Sequence, residues 1–299
     1  MDYKNEILRL KKERNAFIVA HYYQDGDIQD IADRVGDSFD LSRYCATTDK
    51  DVIVFCGVHF MAESAKILSP HKTVLLPARD AGCPMADMVS VDGLLKLKEK
   101  HPDAAVVSYV NTTAAVKAES TICCTSSIAV KVVRSLPHKK IIFLPDRNLG
   151  DYVSKQVPEK EFILWQGFCP THNGLSPMHV QEARAEHPNA VFAVHPEAPP
   201  AVVVLADFVG STKQILDFCN ESKSREFIIG TEEGILHQLN KQNPDKFFYM
   251  LKFGFTCSNM KKTSLETLYH ALEKMQYSIE LDEDTIKRAS SSLQKMLAI

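Results

Sequence analysis

Three of the eight cysteines lie on predicted loops, where a thiolate is available to bind a metal. Cys83, Cys169 and Cys257 each follow a predicted strand. A glycine near each of them lets the backbone turn: Gly82, Gly167 and Gly254. The other cysteines fall in apolar helix or strand patterns, where a free thiol behaves as a small hydrophobe: Cys45, Cys56, Cys123, Cys124 and Cys219.

The three loop thiolates favour a metal centre of a particular kind. The chain has no Cys-x-x-Cys pair, which disfavours a zinc ribbon or a ferredoxin-type binding run. Three thiolates leave one iron of a four-iron cluster without a protein ligand, and an open metal position is what Lewis-acid chemistry requires. Isolated cysteines are more often ordinary core residues, but these three recur once in each of the three repeats described below. We therefore predict that they jointly hold an iron-sulfur cluster.

Composition narrows the class of protein. The chain has 299 residues, a formal net charge of -3 and 45% hydrophobic residues, typical of a soluble protein with more than one compact unit. Lys and Arg are scattered without a basic block, so no nucleic-acid partner is expected. Apolar runs are too short to span a bilayer, and the charged N-terminus is unlike a signal peptide. We expect a cytoplasmic protein with reduced thiols and small-molecule partners.

The elements that must position the cysteines follow a repeated pattern. Short β-branched runs alternate with helical patterns, which is typical of parallel sheets covered by helices. Nine strands are predicted: 17–21, 52–55, 74–76, 106–110, 141–144, 162–165, 191–194, 227–229 and 247–251. The same order of predicted strands, turns and helices recurs in three stretches of the chain, each of which ends in one cysteine. The domains are predicted as 1–87, 88–173 and 174–299. The last includes two C-terminal helices, 265–275 and 284–297, that are expected to close the third unit and pack on the rest.

Spacing supports the repeat more firmly than residue identity does. The distances from His21 to Ser38, from Tyr109 to Ser126 and from His195 to Thr212 are all 17 positions. From Ser38, Ser126 and Thr212 to the following loop cysteine the distances are 45, 43 and 45 positions. The predicted fold is therefore α/β, with three homologous three-layer α/β/α units and short parallel sheets about a pseudo-threefold axis.

Polar side chains lie where the first strand of each unit ends: His21 and Tyr23, Tyr109 and Asn111, and His195 and Glu197. Ligands of open α/β units bind beyond the carboxyl ends of the strands. If three units pack around one axis, these side chains and the three loop cysteines converge on a central pocket. The His195-Pro196-Glu197 turn would supply an imidazole and a carboxylate for proton transfer.

Residues with hydroxyl groups stand at the start of a predicted helix in each unit. They lie in the turns Gly36-Asp37-Ser38, Thr125-Ser126-Ser127 and Gly210-Ser211-Thr212. Any one of them alone is explained by simple helix capping. Three such turns at corresponding positions suggest a binding role in addition to capping, because helix N-termini offer unpaired N–H groups and a positive dipole end. We expect them to bind a phosphate or a multiply charged carboxylate.

The motifs resemble those of the quinolinate synthase family over nearly the whole chain. The resemblance is carried by AHYYQ, DIAD with VGDS, GVHFMAE with AKIL, CPMA, YVNTT, CTSS, PDRNLG, CPTH, HPE, ADFVGST, GTEEG and CSNMKKTSLE. It implies a triplicated α/β fold with one [4Fe-4S] cluster at the domain junction, held by Cys83, Cys169 and Cys257. The fourth iron would bind substrate.

The resemblance also implies an activity in NAD biosynthesis. The substrates would be iminoaspartate and dihydroxyacetone phosphate, and the products quinolinate, phosphate and water. An L-aspartate-oxidising enzyme that supplies iminoaspartate is a possible partner. The cluster would polarise a substrate oxygen during loss of water.

Residue roles follow from the same motifs. Catalytic residues would be His21, Tyr23, Tyr109, His195 and Glu197. Substrate would be bound by His21, Ser38, Tyr109, Asn111, Ser126, His195, Glu197, Ser211 and Thr212. His172 and Met260 would lie beside the cluster. Tyr22 and Ile128 stand where the family motif commonly has Asn, and strand alternation predicts that Tyr22 faces away from the pocket.

Two other classes of function fit parts of this pattern. One is an iron-sulfur or zinc-bearing sensor or electron-transfer protein without turnover, which the pocket of three helix starts disfavours. The other is a different cluster-dependent dehydratase that acts on another small acid, which the motifs disfavour. Turnover of iminoaspartate with dihydroxyacetone phosphate distinguishes these alternatives.

Overall fold

The computed structural model describes residues 2–299 and contains three four-stranded sheets, all parallel. We call each sheet with its helices a unit. The first unit comprises α1 (Tyr3–Glu13), β1 (Ala16–His21), α2 (Gly26–Ile31), β2 (Arg34–Gly36), α3 (Ser38–Thr47), β3 (Val52–Cys56), α4 (His59–Leu68) and β4 (Thr73–Leu75). A 3-10 turn at Ala86–Met88 leads to the second unit.

The second unit comprises α5 (Val91–Lys100), β5 (Ala105–Tyr109), α6 (Ala114–Ala118), β6 (Ile122–Cys124), α7 (Ala129–Ser135), β7 (Lys140–Leu144), α8 (Arg147–Gln156) and β8 (Glu161–Leu164). The third comprises α9 (Pro170–Asn173), α10 (Pro177–Glu186), β9 (Val191–Val194), α11 (Pro200–Val203), β10 (Phe208–Val209), α12 (Thr212–Glu221), β11 (Glu226–Gly230), α13 (Ile235–Gln242) and β12 (Phe247–Met250). A 3-10 turn (Met260–Lys262), α14 (Leu265–Lys274) and α15 (Glu283–Leu297) follow.

The strand order is the same in all three sheets: second, first, third and fourth strand of the unit. This confirms the predicted α/β class and the three repeated units. All nine predicted strands are present, and the structure adds short edge strands at β2, β6 and β10. The sequence signal failed there because two or three residues are too few to show a periodicity.

A single cluster of buried apolar side chains runs through all three units. The central strands explain it, since β3 and β5 are buried along their whole length. Parallel strands covered by helices on both faces are apolar throughout rather than at alternate positions. No helix of residues 2–299 combines the length and hydrophobicity that a membrane crossing needs.

The two C-terminal helices pack on the rest of the chain, as predicted, but they do not close the third unit, which corrects that part of the expectation. Helix α14 packs on α1 of the first unit, and α15 packs on α4, α6 and β6 of the first and second units. Between them, Ile279 N–H donates to the Val74 carbonyl at 2.8 Å and Leu76 N–H to the Tyr277 carbonyl at 3.1 Å. The segment thereby covers edge strand β4, whose backbone groups would otherwise be open to pairing with another chain. The division at 87 and 173 stays a prediction.

Candidate active site

The three loop cysteines line one central cavity. Each lies on the loop that follows the last strand of its sheet, after β4, β8 and β12. All eight cysteines of the chain are free thiols, and these three are the ones that are only partly buried. Burial raises the pKa of Cys83 to about 12, and it raises the pKa values of Cys169 and Cys257 as well. The thiols are therefore protonated at neutral pH until a cation takes the proton's place.

The glycines of the three ligand loops serve different purposes. Gly254 has a φ of +66°, a backbone conformation that other residues rarely adopt. At Gly167 an added Cβ would lie 2.5 Å from the Pro145 carbonyl oxygen, so only glycine fits there. Gly82 has neither constraint, since a Cβ would meet nothing within 4 Å. The turn requirement that the sequence suggested thus applies to two of the three loops.

The predicted strand-end residues of all three units also line this cavity: His21, Tyr23, Tyr109, Asn111, His195 and Glu197. Ser38, Ser126 and Thr212 join them. Ser211 does not line the cavity, because its hydroxyl caps α12 through Gln214 N–H and donates to Asp37 Oδ2 at 3.3 Å. Tyr22, which precedes Tyr23, is outside the lining as strand alternation predicts.

The two strand-end histidines adopt the same local turn. His21 Nδ1 accepts the Tyr23 N–H at 3.1 Å, and His195 Nδ1 accepts the Glu197 N–H at 3.2 Å. An Nδ1 that accepts a backbone N–H carries no proton, so the proton of each neutral ring is on Nε2. Burial lowers the pKa of both imidazoles to about 3. Both rings are therefore neutral donors at physiological pH, and His195 Nε2 lies 3.1 Å from the Ser126 hydroxyl.

Glu197 is a buried carboxylate that stays ionised. Burial opposes its ionisation, but His195 and His172 and hydrogen bonds from His172 and Tyr109 more than offset this and lower its pKa. His172 Nδ1 lies 2.9 Å from Glu197 Oε2 and 3.3 Å from the Cys169 sulfur. A negative oxygen is thus fixed beside one of the loop thiols.

A chain of hydrogen bonds leads from Glu197 in the third unit to Tyr23 in the first. On the far side of the His172 ring, Nε2 is 3.0 Å from Thr231 Oγ1. That hydroxyl is 2.6 Å from the Tyr23 hydroxyl, which is 2.8 Å from Thr212 Oγ1. Each neighbour is within direct hydrogen-bond reach, so the chain can move or share protons without water.

Two predicted helix starts lie in the cavity wall, and the third does not. Helices α3 and α12 begin at Ser38 and Thr212, whereas α7 begins only at Ala129, after a turn that contains Ser126. Among the described residues, the lining includes no lysine or arginine. An anionic ligand would therefore rely on helix N–H groups, hydroxyls, imidazole N–H groups and any bound metal.

Sequence reasoning missed several residues of the lining, among them Asp37, Glu232 and the apolar side chains Val58, Phe60 and Met61. Asp37 lay within the Gly-Asp-Ser turn, where only the hydroxyl was considered. The apolar wall had no signal, since these residues resemble ordinary core positions in sequence.

Three α/β units around one cavity of thiols, imidazoles, hydroxyls and a carboxylate define an enzyme of the triplicated α/β type. A family model described as quinolinate synthetase A protein matches residues 5–298. Proteins named quinolinate synthase are 60% identical over 294 residues in Caldicellulosiruptor bescii (98% of this chain, 97% of the relative) and 56% identical over 296 residues in Geobacter metallireducens (99% and 97%). One from Clostridium perfringens is 52% identical over 296 residues (99% and 98%). The chain belongs to the quinolinate synthase family.

Proposed function

We propose that the enzyme condenses iminoaspartate with dihydroxyacetone phosphate to quinolinate, phosphate and water, for NAD biosynthesis. The observation that carries the proposal is the convergence of three loop thiols and one fixed carboxylate, Glu197, on a single cavity. The relatives named quinolinate synthase support the same reaction. Iminoaspartate would come from an enzyme that oxidises L-aspartate.

The donor set fits a [4Fe-4S] cluster with Cys83, Cys169 and Cys257 as its three ligands. The thiols are unpaired and partly exposed, they line one cavity, and their number leaves one iron open. When bound, the cluster would supply a Lewis acid for the loss of water from substrate. His172 lies between Cys169 and Glu197, where it fixes the carboxylate beside the ligand loop.

The protein residues would bind and orient the two anionic substrates. The Nε2–H groups of His21 and His195 are fixed donors for carboxylate or phosphate oxygens, because Nδ1 of each ring is already occupied. Asn111 Oδ1 is buried without a hydrogen-bond partner and offers an acceptor for a substrate N–H or O–H. Ser38, Ser126 and Thr212, which line the cavity, would hold the phosphate or carboxylate groups.

Glu197, Tyr23 and Tyr109 are the proposed proton carriers. Glu197 is ionised and can accept a proton from substrate, while Tyr109 hydrogen-bonds to it. The Tyr23 hydroxyl can pass a proton along the chain through Thr231 to His172. His21 and His195 complete this set by donating from Nε2. We place the reaction in the cytoplasm, where free thiols stay reduced.

The deciding experiment compares anaerobically reconstituted wild type with Cys83→Ala, Cys169→Ala and Cys257→Ala. Cys219→Ala is the matched control, because that thiol is fully buried in the core. We expect about four irons and four sulfides in the wild type and the control, and loss of both cluster and quinolinate formation in the three variants. Variants that keep the cluster would refute the ligand set. Bound metal without turnover in the wild type would indicate a sensor or electron-transfer protein instead.

A further inference from the structure

Two buried carboxylates accept the backbone N–H groups of two of the loop cysteines. Asp146 Oδ2 accepts the Cys169 N–H at 3.0 Å, and Glu232 Oε1 accepts the Cys257 N–H at 3.1 Å. Both carboxylates are fully buried. They lie at corresponding places, two residues beyond the third strand of their sheets, β7 and β11.

The second oxygen of each carboxylate holds the start of the next helix. Asp146 Oδ1 accepts the Leu149 N–H at 2.8 Å and so caps α8. Glu232 Oε2 accepts the Gly234 N–H at 2.7 Å, just before α13. Each carboxylate therefore ties a cysteine loop to a helix that is packed into the core. We call this arrangement the carboxylate clamp.

The first unit lacks the clamp. The corresponding place, two residues beyond β3, is occupied by Val58, which has no acceptor. A backbone hydrogen bond to the cysteine loop is common to all three units. The residue that follows this place donates its N–H to the carbonyl of the residue two positions before the cysteine. These bonds are His59 to Ala81 (2.8 Å), Arg147 to Gly167 (2.9 Å) and Glu233 to Phe255 (3.0 Å). The carboxylate is thus an addition in two of the three units and not a requirement of the repeat.

We infer that Asp146 and Glu232 are positioning residues that hold the Cys169 and Cys257 loops in the geometry in which their thiolates bind the cluster. The inference rests on the proposed function and deepens it. Groups that hydrogen-bond to metal-binding residues orient them, and losing such a group typically weakens metal retention about ten- to hundredfold. Cys83, without a clamp, would be the ligand with the least constrained backbone.

The substitutions Asp146→Asn and Glu232→Gln test the inference with minimal change of size. A carboxylate offers two acceptor oxygens, whereas an amide offers one oxygen and an NH2 group. If the amide oxygen keeps the helix N–H, the NH2 group faces the cysteine N–H and the clamp opens. Asn remains a good N-cap, so the start of α8 is retained.

Two matched controls make the same carboxylate-to-amide change at positions that do not contact a cysteine N–H group. Asp33→Asn alters a carboxylate that accepts the N–H of Ile18 in β1 of the first unit. Asp207→Asn alters a carboxylate that accepts the N–H of Phe192. Phe192 lies near the start of β9, at the end of that strand opposite to the cavity. Neither control touches a cluster ligand's N–H group.

The measurement is the rate at which the reconstituted cluster is lost to an iron chelator under anaerobic conditions, followed by visible absorption. Thermal unfolding of each metal-free protein is measured alongside. We expect the two clamp variants to lose the cluster about ten- to hundredfold faster than the wild type and the controls. Their metal-free forms should unfold at nearly the same temperature as the metal-free wild type.

Each other outcome overturns the inference. Cluster loss at the wild-type rate would show that the carboxylates do not position the ligands, while leaving the proposed function intact. A large fall in metal-free thermal stability, or failure to fold in both variants, would assign them a purely structural role. A wild type that never takes up a cluster would refute the proposed function and the inference together.

Discussion

The hydroxyl of Tyr23 in the first unit lies 2.6 Å from Oγ1 of Thr231 in the third. Through Thr231 it reaches His172 of the α9 turn, and through His172 it reaches Glu197. Residues that are more than 170 positions apart in sequence thus form one hydrogen-bonded path. The path exists only when the units are packed together.

Replacing Tyr23 with Phe should abolish most activity without loss of the cluster. The ring would keep its packing, but the path between Thr212 and Thr231 would be broken. General acid-base groups contribute about 10²- to 10⁴-fold to rate, so we expect kcat to fall by about that factor. Tyr22→Phe is the control, since Tyr22 is outside the cavity, and it should turn over near the wild-type rate. Equal rates for Tyr23→Phe and Tyr22→Phe would exclude a role for the hydroxyl.

Gly234→Ala should displace the end of β1. A Cβ at Gly234 would lie 2.7 Å from the Tyr22 carbonyl oxygen and 2.7 Å from the Tyr23 Cα, and both contacts are with backbone that cannot rotate away. Overpacking of this kind costs about 1–3 kcal/mol of unfolding free energy. Urea titration would measure that loss against Gly174→Ala, whose added Cβ would have its nearest contact at 3.4 Å. Identical midpoints for the two variants would contradict the close packing.

Asp37 should make stability depend on pH. Burial raises its pKa from 3.8 to about 6, although N–H groups of α3 and the Ser211 hydroxyl favour the charged form. At Asp37 the folded protein therefore binds more protons than the unfolded chain between pH 4 and 6, and this residue's contribution to stability falls as pH rises through that window. Above this pH window the stabilising contribution of Asp37 is lost completely, which amounts to about 3 kcal/mol at 1.4 kcal/mol per pKa unit.

Asp37→Asn should remove this dependence and keep the helix cap. We expect the variant to unfold at higher urea concentration than the wild type at pH 7 and at a similar concentration at pH 4. A difference that is the same at both pH values would show that the carboxyl is not the titrating group.

Leu293→Ala tests the placement of α15 between the first and second units. Leu293 is fully buried, and truncation of such a side chain costs about 2–5 kcal/mol. Gln294→Ala, at the next and exposed position, should leave the thermal midpoint almost unchanged. If both variants unfold like the wild type, α15 does not contribute to the core.

The fold class and the repeat can be read from the amino-acid sequence alone. Apolar strands alternating with helices specify parallel α/β units, and the constant 17-residue spacing from His21, Tyr109 and His195 marks corresponding places in each. The sequence also separated loop thiols such as Cys83 from core thiols such as Cys219, because local apolar patterns report burial. These are properties of short segments, which is why they are legible in a single chain.

The contacts between units become visible only in the folded chain. Ser211 was expected at the cavity but caps α12 and binds Asp37, and α14 and α15 return to the first and second units rather than closing the third. The acceptor role of Asp146 and Glu232 toward Cys169 and Cys257 also depends on how loops lie against helix starts. Such contacts are set by packing between segments far apart in the chain, and no local pattern of residues encodes them.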